Sequence, residues 1–251
     1  MQLIGVDGCK AGWVAVVGES TGALSVGVFS SFKALIEAHE PDAIIAVDMP
    51  IGLPDRIEGG GRTPEKLVRS LLGPRQSSVF AIPARAVVEM GRQITGRTAD
   101  DYPLHRRASE LAKRLSDPPK GASIQAFYLF PKILEIDRLL QAEQKLQVRV
   151  FESHPEVAFC IQNDCNPMAL PKKIKGKVNP QGMQERLAFL ASKGLPSAFL
   201  KQQPPPGVGE DDFLDACVCW RTAERLSIGE ATSFPDPPEK DGKGIPIAIW
   251  A

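Results

Sequence analysis

Six acidic residues stand where acids are scarce. Asp7 ends the apolar run at 2–7 (QLIGVD), Asp48 ends the run at 43–48 (AIIAVD), and Glu152 ends the alternating run at 147–152 (QVRVFE). Asp211, Asp212 and Asp215 open a long amphipathic segment at 210–226. Neighbouring strand ends lie about 5 Å apart in a sheet, so Asp7, Asp48 and Glu152 converge if their strands adjoin. Asp212 and Asp215 share one helix face by their i, i+3 spacing. Carboxylates gathered at one point raise one another's pKa and call for a cation. Hard oxygen ligands select Mg²⁺ or Mn²⁺ over zinc. Two such ions about 3.5–4 Å apart stabilise the attacking and leaving oxygens of a phosphodiester displacement. The expected metal-binding and catalytic set is therefore Asp7, Asp48, Glu152, Asp212 and Asp215. Singly, each acid also has a plain use. Asp7 before Gly8 and Asp48 before Met49-Pro50 suit turns, Asp211 suits a helix start, and Glu152 suits pairing with an arginine.

A second group of residues suits phosphate. Lys10 lies in the loop G-V-D-G-C-K-A-G-W at 5–13, whose backbone N–H groups could cradle an anion. The loop lacks the spacing and the G-K-[ST] ending of a Walker A sequence. Arg62, Arg69, Arg75 and Arg85, the hydroxyls of Ser77 and Ser78, and Lys175 in the basic loop at 172–176 are the other candidates for holding substrate phosphates. His154 follows Glu152 by two residues and could ligate a metal, shuttle a proton or simply precede Pro155. No G-x-S-x-G elbow is present. The five cysteines, at 9, 160, 165, 217 and 219, have the wrong spacing for a zinc ribbon and read as buried free thiols.

These residues need a scaffold, and 251 residues suffice for one domain with a self-sufficient core. With 43% hydrophobic and 24% charged residues the chain is neither disordered nor membrane-spanning, since no apolar run approaches about 20 residues. Lys+Arg and Asp+Glu both number 30, so no global basic field announces a nucleic-acid partner. The first residues enter a strand pattern directly, without a signal-peptide pattern. Together with the odd cysteine count this predicts a cytoplasmic protein.

The first fifty residues read β-β-β-α-β, with strands at 2–7, 12–18, 24–30 and 43–48 and a helix at 31–39. Residues 55–120 hold 13 Lys/Arg against 8 Asp/Glu and are predicted to form a helical, Arg-rich insertion or lid, with helices near 64–72 and at 104–116. Further helices are predicted at 124–145, from His154-Pro155, at 181–193 and at 210–226, with strands at 147–152 and 245–250. The last run suits a sheet edge, a core strand or a homodimer contact.

In order along the chain, G-V-D-G-C-K-A-G-W at 5–13, A-V-D-M-P-I-G-L-P at 46–54, L-L-G-P-R-Q-S-S-V-F at 71–80, F-E-S-H-P-E-V-A-F at 151–159 and D-D-F-L-D-A at 211–216 resemble the domain-of-unknown-function 429 family. The likeness spans nearly the whole chain and includes the lysine-rich loop with its following helix. Members are described as predicted nucleases of the ribonuclease H-like superfamily. The resemblance implies an α/β fold with a ribonuclease H-like core, a five-stranded mixed sheet flanked by helices. It implies metal ligation by Asp7, by Asp48 and by the pair Asp212 and Asp215. It departs from the family at 62–69, where Glu65 stands in place of an expected aspartate. The expected activity is divalent-metal-dependent hydrolysis of nucleic-acid phosphodiester bonds. Two other readings stay open. One is a nucleotide- or phosphometabolite-binding phosphotransferase of the actin-like/sugar kinase superfamily, for which Gly207-x-Gly209 is the sole candidate second phosphate loop. The other is a non-catalytic module on an inactive nuclease core.

Overall fold

Alternating apolar residues need two buried faces, and the chain supplies both. A computed structural model describes residues 1–96 and 98–251; Arg97, in the arginine-rich segment, lies outside the described residues. Strands β1 (Leu3–Cys9), β2 (Gly12–Gly18) and β3 (Ser25–Phe29) form an antiparallel meander, with Asp7 opposite Val14. Helix α1 (Phe32–Glu37) starts at Ser31, whose hydroxyl accepts the Ala34 N–H at 3.1 Å. It leads to β4 (Ile44–Val47), parallel to β1 with Val47 opposite Val6.

Residues 55–120 follow. They contain α2 (Thr63–Leu71), a 3₁₀ turn at Gly73–Ser78, a short helix at Arg85–Val88 and α3 (Asp101–Arg114). Ile57–Glu58 pairs with Ser116–Asp117, so the two ends of the segment lie side by side. Next come Ile124–Phe127 and α4 (Phe130–Ala142), two helices where one was expected over 124–145. The second helix takes Pro131 into its first turn, the helical position that needs no N–H.

β5 (Val150–Glu152) is parallel to β4, with Glu152 opposite Val47, and completes a five-stranded mixed sheet in the order β3-β2-β1-β4-β5. It is shorter than the run expected at 147–152, because Gln144–Val148 forms a 3₁₀ turn and the chain first joins β4 at the Arg149 carbonyl. Helices α5 (Pro155–Gln162), α6 (Pro180–Ser192) and α7 (Glu210–Ser227) follow. The chain closes with a hairpin of β6 (Ser233–Lys240) and β7 (Pro246–Trp250). Trp250 bridges to Ser153 just beyond β5, and Ile247, Ala248 and Ile249 are buried, so the terminal run is a core strand. Strand β6 is not evident in the sequence. Its three prolines cannot donate to a ladder, and it is tolerated with a register shift between Phe234 and Glu239.

The period of two sorts the core. Ile4, Val6, Ile45 and Val47 face one side with Trp13, Phe32 and α4, while Leu3, Val14, Val16 and Ala46 face the other with α5 and α7. Helix α7 lies against β1 at unusually close range. A Cβ on Gly5 would fall 2.0 Å from the Trp220 nitrogen and 2.1 Å from the Ala216 oxygen. Only a glycine lets these two backbones meet.

Candidate metal centre

The parallel register aligns the ends of β1, β4 and β5. Asp7 stands on β1. Asp48 directly follows β4, and its N–H donates to the Val6 carbonyl at 2.9 Å. Helix α7, seated on Gly5, delivers Asp215 from above the sheet. One carboxylate oxygen each from Asp7, Asp48 and Asp215 lie within 4.8 Å of one another.

Two of the three groups are buried, and Asp48 is half-buried. Asp7 is 8% exposed and Asp215 3%. Burial, followed by the charges of Asp48, Asp215 and Asp212, holds the Asp7 carboxyl well above the usual carboxylate range. Burial lifts Asp48 to about 6 against the pull of Lys172. It lifts Asp215 to about 7, with Lys172 opposing and Asp48 reinforcing the rise. Oδ1 of Asp7 accepts the Gly8 N–H at 2.6 Å. Asp215 forms an ion pair with Lys172 through Oδ2, and its Oδ1 is buried with no hydrogen-bond partner among the described residues. An orphaned buried oxygen beside two further carboxylates suits a cation, and the all-oxygen donor set suits a hard one. The trio could hold a metal ion.

The five carboxylates expected to converge are thus drawn together as three. Asp212 lines the same cleft, but its Oδ2 accepts the Gly209 N–H at 3.0 Å and caps α7. Burial raises its pKa, and its charge adds to the rise at Asp7. Asp211 pairs with Lys173 at 2.5 Å. Glu152 is engaged elsewhere. Its two oxygens receive Nη2 and Nη1 of Arg62 at 2.7 and 3.0 Å, and the Ile51 N–H at 2.7 Å.

The proposed phosphate ligands divide in the same way. The centre opens into a cleft of about 1020 Å³ whose lining includes Lys10, Arg75, Ser77, Ser78 and His154. Arg62 also reaches this lining, but its guanidinium is buried and spent on Glu152, Glu65 and the Ile51 and Gly52 carbonyls. Glu65 accepts the Arg62 N–H and Nε and the Ile82 N–H. Three positions lie away from the cleft lining. Arg85 is buried between Asp137 and Asp241, each at 2.7 Å. Arg69 donates through Nε and Nη2 to the Val79 carbonyl. Lys175 is exposed, in the turn between Lys173–Ile174 and Lys177–Val178. His154 sits with Nε2 3.3 Å from the Ser78 carbonyl and a buried Nδ1 without a partner among the described residues, and burial lowers its pKa.

Two lysines escaped the sequence reading. Lys172 lies in the loop recognised as basic, but only the fold tells which of its lysines turns inward. Lys132, in the first turn of α4, sits 4.3 Å over the Trp13 ring, donates to the Gly12 carbonyl and lines the cleft beside Asp7. Among the described residues all five cysteines are free; Cys165 is exposed rather than buried. No helix among the described residues is long and apolar enough to cross a membrane.

No match was found among curated proteins or among solved structures. Residues 5–240 match the sequence profile described as "Protein of unknown function (DUF429)", and the chain belongs to that family.

Proposed function

We propose that the chain is a divalent-metal-dependent nuclease on a ribonuclease H-like core, hydrolysing phosphodiester bonds at the Asp7–Asp48–Asp215 centre. The observation that carries this reading is the approach of three carboxylate oxygens, two of them on buried residues, to within 4.8 Å of one another. The sheet order and the position of the acids at adjacent strand ends support the fold assignment. Mg²⁺ and Mn²⁺ are the ions whose ligand preference fits. Bound there, such an ion would polarise a phosphoryl oxygen and make a water more acidic. The protein's own share is positional. Asp7, Asp48 and Asp215 would hold the cation, and Asp212 adds negative charge from the first turn of α7. Lys10 and Arg75 neutralise phosphates at the wall, with Ser77 and Ser78 as hydroxyl donors. Arg62, Glu65 and Glu152 brace that wall rather than touch substrate.

The phosphotransferase reading gains nothing from the loops it needs. The Gly207 carbonyl accepts the Ala11 N–H at 3.3 Å, and the Gly209 N–H is spent on Asp212. One observation favours the non-catalytic reading, because Lys172 already supplies a counter-charge to Asp215. Calorimetric Mn²⁺ titration of wild type and Asp7→Asn separates the two. The nuclease reading expects one or two ions in wild type, their loss in the variant at unchanged circular dichroism, and metal-dependent cleavage of oligonucleotides by wild type alone. Equal binding and equal cleavage by both proteins would sink it.

A further inference from the structure

The wall of the cleft carries a ring without a ring contact and two cations without an ion pair among the described residues. Phe80 is 37% exposed, lines the cleft and makes no ring contact among the described residues. The backbone that presents it is fixed on both sides. The preceding Val79 carbonyl accepts two N–H groups of Arg69, and the Ile82 N–H donates to Glu65 at 3.2 Å. Arg75 and Lys10 also line the cleft, and neither forms an ion pair with a carboxylate among the described residues. Nε of Arg75 is buried without a hydrogen-bond partner among the described residues.

These groups call for a ligand with both phosphate and a flat apolar face. The acid trio restricts its shape. Asp7 and Asp215 are almost fully buried, so the scissile phosphate must enter the cleft to reach them. A duplex is a rigid rod whose bases are already stacked on one another, and it offers Phe80 no free face. An unpaired strand bends into a cleft and exposes its bases, and aromatic stacking with a basic track is how proteins bind such strands. Resting on the nuclease reading above, we propose that the cleft binds an unpaired nucleic-acid strand, with one base stacked on Phe80 and its phosphates on Lys10 and Arg75. Stacking on a ring face is tolerant of base identity, so the selection is for single-strandedness and not for sequence.

The test is fluorescence anisotropy with a fluorescein-labelled mixed-sequence 10-mer, as DNA and as RNA, single-stranded and as a blunt duplex. Ca²⁺ serves as a hard cation that carboxylates also take. Wild type is expected to bind the single strand at least tenfold more tightly than the duplex. Phe80→Ala and Phe80→Leu should each weaken single-strand binding about tenfold, and Phe80→Trp should retain it. Mn²⁺ titration of the three variants should match wild type, showing that the fold and the acid trio are intact. Duplex binding as tight as single-strand binding, no measurable binding of either, or a Phe80→Ala protein that binds the strand normally, would overturn the proposal. The nuclease reading fails separately. A Phe80-dependent complex that is never cleaved removes the nuclease and keeps the strand site, whereas duplex cleavage indifferent to Phe80 does the reverse.

Discussion

Lys172 places its ammonium against Oδ2 of Asp215 while Oδ1 of the same carboxylate remains without a hydrogen-bond partner among the described residues. Burial works to strip the lysine of its proton, but Asp215 and Glu156 more than offset that, so its pKa lies above the ordinary value. The carboxylate is therefore half-satisfied by a cation belonging to the protein. A metal ion and the ammonium draw on the same negative charge.

Replacing that lysine should separate stability from metal affinity. Lys172→Met leaves buried carboxylates less compensated and should lose about 1–3 kcal/mol in urea unfolding with EDTA, less than a fully enclosed pair because the lysine is partly exposed. The same variant should bind Mn²⁺ several-fold more tightly, with the ion restoring much of the lost stability. Unchanged Mn²⁺ affinity would show that the ammonium does not compete.

The raised carboxyls make a pH signature. Asp48 at about 6 and Asp215 at about 7 both lie above the unfolded value near 3.8. Between pH 4 and 7 the native state therefore holds more protons than the unfolded state. Unfolding stability in EDTA should fall as pH rises through this window, by at most about 1.4 kcal/mol per pH unit for each carboxyl. Saturating Mn²⁺ favours the ionised groups and should flatten or reverse the slope. A metal-free stability that climbs steadily from pH 4.5 to 7.5 would contradict the burial of the trio.

Arg62 is expected to matter for folding and hardly at all for the metal. Its guanidinium satisfies Glu152 and Glu65 together, both buried. Burial lowers its pKa, but the two carboxylates more than reverse this. Arg62→Met strands two buried acids and should cost about 3–5 kcal/mol in chemical unfolding. Arg62→Lys should recover little, since an ammonium cannot reproduce the two-pronged bond. At temperatures where the variants stay folded, Mn²⁺ should still titrate Asp7, Asp48 and Asp215. Loss of metal binding in the folded variant would show that the Arg62 contacts position the metal centre.

The sequence showed the strand ends well and the tertiary neighbours poorly. Alternation in 2–7, 12–18 and 24–30 and the apolar run at 43–48 became β1 to β4 with small changes at the ends. That put Asp7 and Asp48 at strand ends, and the parallel pairing of β1 with β4 brings them side by side. Asp215 was legible as one of the pair Asp212 and Asp215 on a shared helix face, but which of the two meets Asp7 and Asp48 depends on how α7 is rotated on β1. Glu152 did reach the end of a strand beside β4. Its partner, 90 residues earlier, carries no local signal. The arginines of 55–120 look alike in composition, yet Arg62 and Arg85 are enclosed by acids while Arg75 faces the cleft. Charge counts cannot distinguish a solvated arginine from a buried one.

The contact at Gly5 separates the frame of the centre from its chemistry. Asp7 lies two residues beyond that glycine, and Asp215 directly precedes Ala216, whose carbonyl lies over it. The spacing of the two carboxylates is inherited from backbone lying on backbone, with no acid side chain taking part. Exchanging an acid for its amide therefore changes charge within a fixed mould, whereas a single methyl group added at Gly5 would change the mould while leaving every acid in the sequence.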